Sequence, residues 1–425
     1  MRLLRLLVVV ALLAGCDSGG ESEPAPQPAP PRAITAAELG EHLSAFQEIA
    51  DRNGGTRAAG TPGDRASVNF VAKRLREARW TVRLQPVRFP YFDLRRSAMM
   101  IGGRKLRQAR DFQVLSYSGA GRANGRLLRR GTGCEPEEYS GLDAGDVPLV
   151  SRGVCFFREK ALFAQNAGAS ALVVIDYSTT RRGVPSGTLA APGIRIPVVL
   201  VSDALAHAGA SVRVEVDATS GRRVTHNVIA ETRGGNSDRV VMAGGHLDSV
   251  RGGPGINDNG SGAATLIEAA EAIGPDPPGA RVRLAFWGAE ELGLLGSRHY
   301  VRSLERAERR RISAYINFDM VGSPNAVPEL YADGDAELGR VLRQAAGRPL
   351  GGAAVGGSSD HAAFDAAGVP VNGLYTGATE RGPGGRPRDA CYHLACDTAE
   401  RVNRPVLLRM ARAAAETLKQ LSARG

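Results

Sequence analysis

The sequence lacks a membrane-spanning run. Its apolar N-terminal stretch, residues 6–13, is too short to cross a bilayer. Behind Arg2 and Arg5 it reads instead as the h-region of a signal peptide. Clustered basic charge is missing too. The formal net charge is +10, but the Lys and Arg residues are scattered, and the short run 309–311 sits beside Glu305 and Glu308 as a solvated helix face would. With no RNA- or DNA-binding motif alongside, nucleic acid is not expected as a partner. The glycine-rich segment 252–260 has no Gly-Lys-Ser/Thr ending, which argues against a phosphate-cradling P-loop. Internal repeats are absent. Cysteine is scarce, at five residues, and the spacings are not those of Cys-x-x-Cys metal sites.

What is present is a chain of 425 residues, 43% hydrophobic and 23% charged, long enough for two folded domains rather than one core. Leu13-Ala14-Gly15-Cys16 matches a bacterial lipobox, which makes Cys16 the candidate lipidation site and residues 1–15 the signal peptide. The Pro-, Ala-, Gly- and Ser-rich stretch 16–34 has the composition of a tether. The expected location is the bacterial cell envelope, at the periplasmic face or the cell surface, with the membrane met only through the N-terminal lipid. An even number of cysteines in an exported chain favours disulfides. With Cys16 lipidated, Cys134, Cys155, Cys391 and Cys396 remain; three pairings are open, and proximity favours Cys134 with Cys155 and Cys391 with Cys396.

Leu39, Leu43, Phe46 and Ile49 recur at helical spacing and predict a first helix; Val68, Val71, Ala72 and Leu75 predict a second. Residues 81–89 read as a strand, with Val82 and Leu84 alternating against Arg83 and Gln85. From 111 to 222 the pattern changes to short β-rich runs at 147–150, 171–175 and 196–201, with one helix at 159–167. This segment has its own cysteine pair and interrupts a pattern that resumes at 223, so it reads as an insert. Beyond it strands and helices alternate. An apolar run at 240–243 is followed by a helix at 261–273, a strand through Val282, Leu284 and Phe286, and further strands at 312–318 and 369–374. A closing helix has Pro405 in its first turn and Leu407, Met410, Ala414, Leu418 and Leu421 on its buried face. Such alternation predicts an α/β fold with a mostly parallel mixed sheet covered on both sides.

Open α/β sheets bind ligands beyond the carboxyl ends of their strands, and the residues able to hold metal gather there. The run 240–243 leads into His246 and Asp248, the strand through Phe286 into Glu290 and Glu291, and the strand ending at Phe318 into Asp319. Asp258 lies in a glycine-flanked loop just before a helix, and His393 lies late in the chain between Cys391 and Cys396. A two-metal hydrolase needs such a set: imidazole and carboxylate ligands for each zinc, one carboxylate between the pair, and one acid that is no ligand to take a proton from water. Adjacent acids such as Glu290 and Glu291 can divide those jobs.

The segments Gly245-His246-Leu247-Asp248-Ser249, Asn257-Asp258-Asn259-Gly260, Trp287-Gly288-Ala289-Glu290-Glu291, Asn317-Phe318-Asp319-Met320 and Cys391-Tyr392-His393 resemble, in this order, the M28 family of zinc aminopeptidases, the secreted Streptomyces-type leucine aminopeptidase above all. The resemblance covers most of 40–110 and 223–420. It implies a phosphorylase/hydrolase-like zinc peptidase sandwich over 35–110 and 223–425 and two Zn2+ per chain. His246 and Asp319 would hold one zinc, Glu291 and His393 the other, and Asp258 would bridge them. Glu290 would be the general base, Asp248 would orient His246 from outside the ligand set, and Tyr392 would hydrogen-bond the tetrahedral intermediate. The implied substrate is a peptide or protein N-terminus, with apolar residues removed. Ser358-Ser359-Asp360-His361 matches a segment beside the family's active site, but Ser358 stands where the Streptomyces relative has Arg. His361 reads as structural, since the ligand count is complete without it.

Residues 147–157, Lys160, 167–169 and 196–199 resemble a protease-associated domain, chiefly in the turn Arg152-Gly153-Val154-Cys155 and the alternating strands. The resemblance implies that 111–222 is such a domain, inserted in the peptidase. Two other readings compete: a carboxypeptidase of the same superfamily, and a receptor-like binding protein on a peptidase fold. The second conflicts with the full ligand set and base. A single-zinc, cyclase-like relative would depart at the ligand positions, and this chain does not.

Overall fold

The computed structural model describes residues 32–424 except 144, 178–182, 278 and 383; the signal peptide, Cys16 and most of the tether lie outside the described residues. Two helices open the fold, α1 (Ala36–Asp51) and α2 (Pro62–Glu77). Thr35 and Thr61 cap them, each accepting a backbone N–H of the first turn, and Pro62 begins the second where its missing donor costs nothing. The chain then enters the long strand β1 (Thr81–Ile101), followed by β2 (Arg104–Leu106) and β3 (Phe112–Val114). Next come β4 (Gly121–Arg129), β5 (Asp146–Ser151), α3 (Phe157–Asn166), β6 (Leu172–Asp176) and β7 (Val198–Ser202). A second long strand, β8 (Ser211–Glu231), leads to β9 (Asn236–His246), α4 (Ser261–Ile273) and β10 (Ala280–Trp287). There follow α5 (Leu295–Ser303), α6 (Arg306–Arg311), β11 (Ile312–Phe318), β12 (Glu329–Tyr331) and α7 (Ala336–Ala346). The last elements are β13 (Gly351–Ala353), α8 (His361–Asp365), β14 (Val371–Tyr375) and α9 (Arg404–Ala423).

The peptidase part of the sheet runs β13-β12-β14-β11-β9-β10-β8. Its centre is parallel, β9 pairing with both β10 and β11, and β11 with β14; β8 and β12 join antiparallel. Side chains alternate between two buried faces, as strands covered on both sides require. Val241 and Ala243 of β9, and Val282, Leu284 and Phe286 of β10, face a core shared with α1, α2, α4, α7 and α9. Met242, Ala285, Trp287 and Tyr315 face a second core with Tyr300 of α5 and Phe364 of α8. The fold is therefore a three-layer α/β sandwich with a mostly parallel mixed sheet.

The strand expected at 81–89 extends to Ile101, because it pairs antiparallel with β8 from Thr81↔Glu231 to Ile101↔Val212. The ribbon passes out of the peptidase and into the insert, where β4, β5, β6, β7 and β3 continue the sheet from β8. Met99 and Ile101 of β1 and Val212, Val214 and Val216 of β8 are buried in a core of the insert. The other face of that β-rich sheet packs on α3 through Val150, Val174, Leu200 and Ala161. Disulfides join Cys134 to Cys155 within the insert and Cys391 to Cys396 within the peptidase. Among the described residues no helix is long and apolar enough to cross a membrane.

Phe46 is fully buried on α1, edge-on to Phe70 and under the guanidinium of Arg57. Phe46→Ala should lower stability by about 3–5 kcal/mol, read as a shift of the urea unfolding midpoint.

Candidate metal centre

His246 ends β9, Glu290 and Glu291 follow β10 after Gly288 and Ala289, and Asp319 directly follows β11. β9 lies between β10 and β11, and the parallel register sets His246 beside Trp287 and Gly244 beside Asn317. Three strands thus deliver an imidazole and three carboxylates at one level of the sheet. Asp258 enters from the loop ahead of α4, and His393 from the loop closed by Cys391 and Cys396. Gly245 permits this convergence: a Cβ there would stand 2.5 Å from the Phe318 carbonyl oxygen. Ala289, Leu294, Met320 and His393 all have φ between +53° and +60°. Each is a strained backbone for a side-chain-bearing residue, at roughly 1–3 kcal/mol, and such strain gathers where function fixes the chain.

The donor atoms form three overlapping triads: two share Asp258, and a third joins His246, Glu290 and Glu291. His246 Nε2 lies 3.1 Å from Asp258 Oδ1 and 3.4 Å from Asp319 Oδ1. His393 Nε2 lies 3.2 Å from Asp258 Oδ2 and 3.1 Å from Glu291 Oε2. Ligands about 2.0–2.1 Å from a tetrahedral zinc stand about 3.3 Å from one another, so this spacing fits the ion. Two further signs agree. Asp319 Oδ1 and Glu291 Oε1 are buried with no hydrogen-bond partner, and the crowded acids perturb one another. Burial pushes the Glu291 carboxyl up to about 8, with Asp258 adding to the rise. Burial also lifts Glu290 well above the carboxylate range, against the pull of His246 and with the push of Asp360 and Asp319. For Asp258 burial acts upward too, but His246 and His393 outweigh it and hold its carboxyl low. Burial disfavours the His246 imidazolium, yet Glu290 and Asp319 raise it well above its ordinary value. A site so rich in uncompensated carboxylate is one that cations stabilise.

The other expected residues are also here. The ring of His246 faces the Asp248 carbonyl oxygen at 3.0 Å from Nδ1, while the Asp248 carboxylate stands 3.9 Å away and accepts the Glu290 N–H at 3.0 Å. Asp248 therefore touches the imidazole chiefly through its backbone, and its carboxylate holds Glu290. Tyr392 stacks on His393, ring centroids 3.8 Å apart, and burial raises its phenol. His361 lies outside the cluster, bound to the Gly356 carbonyl oxygen and packed on Tyr331. A cavity of ≈ 830 Å³ opens from the cluster past Met320, Tyr331, Ser358, Tyr375 and Arg388. A separate group of donors, His42, Glu268 and Glu271, is different in kind: His42 pairs with Glu268, and Glu271 is held by Arg32 and Arg74.

Several supporting residues had no role assigned from the sequence. Fully buried Arg57, from the loop before α2, donates to the carbonyl oxygens of Leu247, Pro254 and Gly255 at 2.5–2.8 Å; burial pushes its guanidinium down to about 10. Asp397 accepts the N–H groups of Asn257 (2.7 Å) and Asp258 (3.0 Å), with burial raising its carboxyl to about 7. Ser359 donates to Asp319 Oδ2 at 2.7 Å. Only its place one residue past Cys396 could have drawn attention to Asp397. Asp397→Asn turns an amide donor toward one of those N–H groups, and should lower thermal stability by about 1–3 kcal/mol, measured as a fall in Tm.

Comparison with known proteins adds an independent line. Residues 227–418 match peptidase family M28, and residues 123–209 match the PA domain. An aminopeptidase of Pseudomonas aeruginosa is 35% identical over 424 residues, covering 89% of this chain and 79% of that protein. A probable lipoprotein aminopeptidase of Mycobacterium tuberculosis is 37% identical over 407 residues, 86% and 81% of the two chains. The structure of a zinc aminopeptidase from Bacillus subtilis superposes with a TM-score of 0.62 at 26% identity, covering 91% of this chain and 95% of that one. With its strand-end cluster, its α/β sandwich and relatives matched over most of their length, the chain belongs to peptidase family M28, as an aminopeptidase with an inserted PA domain.

Proposed function

We propose that the chain is a two-zinc aminopeptidase removing apolar N-terminal residues from peptides. The observation that carries this reading is Asp258, which turns one oxygen to each of two imidazoles. His246 and Asp319 are the ligands of one zinc, Glu291 and His393 of the other, and Asp258 serves both. Bound there, the two zincs supply a water of lowered pKa and polarise the scissile carbonyl.

Glu290 is the general base. Its amide is fixed on the Asp248 carboxylate, and its Oε2 stands 4.0 Å from His246 Nε2; it belongs to the triad with His246 and Glu291 but to neither triad that shares Asp258. Glu290 takes the proton of the attacking water and passes it to the leaving amine. Tyr392, its phenol raised by burial, keeps its proton and donates to the developing oxyanion. The substrate α-amine meets Glu290 and the Asp319 carboxylate, which Ser359 orients; Ser358 lines the same cavity and offers no charge. Met320, Tyr331, Ala353, Val355 and Ala378 line it too and favour an apolar side chain beside the scissile bond.

The peptidase domain is assigned to 35–110 and 223–425 and the PA domain to 111–222. Lipid attachment at Cys16, which lies outside the described residues, would tether the enzyme to the cell envelope; the lipobox and the lipoprotein relative support this.

Glu290→Gln should keep its metal and lose about 10²–10⁴-fold in kcat; a variant with full turnover would remove Glu290 from the base role. Elemental analysis should find two zincs per chain, and a stable single-zinc enzyme would overturn the two-metal reading. Acetylating a peptide's α-amine should abolish cleavage while amidating its C-terminus should not, and the reverse pattern would mark a carboxypeptidase.

A further inference from the structure

α5 begins one turn after Glu290, whose carbonyl oxygen accepts the N–H groups of Gly293 and Leu294 at 2.8 Å each. Arg298, on the first turn of that helix, lines the cavity of the metal-ligand cluster. It also lines a second hollow of ≈ 290 Å³, together with Arg302 and Arg309. Arg309 in turn lines a third, of ≈ 570 Å³, with Arg306 and Arg310. The three hollows are linked end to end by shared arginines. Between the arginines the lining is apolar and mostly small, with Ala362, Ala363, Ala366 and Ala367 beside Val301, continuing to Gly368 and Pro370 beside Ile312 and Val369. Ion pairs and hydrogen bonds hold many of the protein's other arginines, yet among the described residues none of these five side chains makes either, and Arg309 Nε is buried without a partner. The nearby acids do not neutralise them. Glu305 and Glu308 turn into the N-terminal cap of α6, Asp238 pairs with Arg311, and Asp365 of α8 lines none of the three hollows.

We propose that this groove binds an acidic segment of the substrate polypeptide, downstream of the residue being removed. Glu290 sets the direction. The proton it delivers goes to the leaving amine, so the remainder of the substrate departs on the side where α5 starts. Arg298 and Arg302 are four residues apart, about 6 Å along the helix, close to the ~7 Å between alternate side chains of an extended peptide. Carboxylates at alternate positions can therefore meet successive arginines over an apolar floor of mostly small side chains. The consequence is selection among N-termini by the charge of the residues downstream of them, strongest at low ionic strength.

The inference rests on the aminopeptidase reading, and its test separates the two. KM should be compared for Leu-Gly-Gly-Asp-Glu-Asp-Glu and Leu-Gly-Gly-Ser-Gln-Ser-Gln, with leucine p-nitroanilide as a substrate too short to reach the groove. The acidic peptide should have a KM lower by roughly five- to tenfold. That advantage should vanish in R302E/R309E and shrink in the milder R302Q/R309Q, with p-nitroanilide turnover unchanged in both. Equal KM for the two peptides in the unsubstituted enzyme would overturn the proposal. So would an arginine-dependent attachment to phosphatidylglycerol vesicles without any preference between the peptides, which would make the groove a membrane contact. Should p-nitroanilide turnover be absent altogether, the aminopeptidase reading fails, and the groove is judged by fluorescence anisotropy of the labelled acidic peptide with the same variants.

Discussion

Asp258 is reached by two imidazoles, one at 3.1 Å from Oδ1 and one at 3.2 Å from Oδ2, and the remaining site is arranged around that carboxylate. Holding it there is costly, since Asp319, Glu290 and Glu291 crowd the same volume and the carboxylates are largely buried. The protein meets the cost with hydrogen bonds from outside the cluster. Asp397 takes the N–H groups of Asn257 and Asp258, Asn257 reaches Asp389 and Ser323, and Asn259 bonds the Phe318 carbonyl oxygen. Arg57 ties the segment after β9 to the loop before Asp258 through three carbonyls. These contacts fix the backbone and the Asn257 and Asn259 side chains rather than the Asp258 carboxylate, which leaves its oxygens free to face inward.

The sheet contributes the first half of that order. Parallel strands place their carboxyl ends at one edge, so His246, Glu290, Glu291 and Asp319 arrive together from three neighbours. The loops contribute the second half with less regular means, including positive φ at Ala289, Met320 and His393. Ala289 and Met320 adjoin Glu290 and Asp319, and His393 is part of the cluster, so packing around them must hold conformations that short peptides would abandon. The Cys391–Cys396 disulfide restricts the loop that carries His393.

The PA domain is not a bead on a flexible string. Two strands of 21 residues each, β1 and β8, run from the peptidase core into the insert's core with continuous pairing. Arg251, two residues past Ser249, meets Tyr91 and Asp93 on that ribbon, and Arg223 lies over the Tyr91 ring at 3.5 Å. The segment after His246 thus packs directly on the connection between the two domains.

Much of this is legible from the chain alone. The predicted helix 261–273 and strand 312–318 coincide with α4 and β11, because an apolar face repeats at the helical or strand period whatever surrounds it. The α/β class comes from the same alternation, and the metal-ligand candidates stand out because His, Asp and Glu at apolar strand ends have few structural uses. The strand beginning at Thr81 reads short, ending at 89 rather than at Ile101, since polar Arg95, Arg96 and Ser97 mask a strand whose length is set only by its partner β8. Arg57 and Asp397 carry no local pattern for a related reason: each acts through contacts across 139 to 198 residues of chain; Ser359 is marked by the family segment that holds it, but not its bond to Asp319. The sequence by itself determined which residues can hold metal and at which strand ends they lie. Only the tertiary structure decided that Asp258 faces both imidazoles and that the Asp248 carboxylate holds Glu290 rather than the ring of His246. It alone joined the scattered arginines of α5 and α6 into one groove, because distances between loops and helices come from packing and no local pattern encodes them.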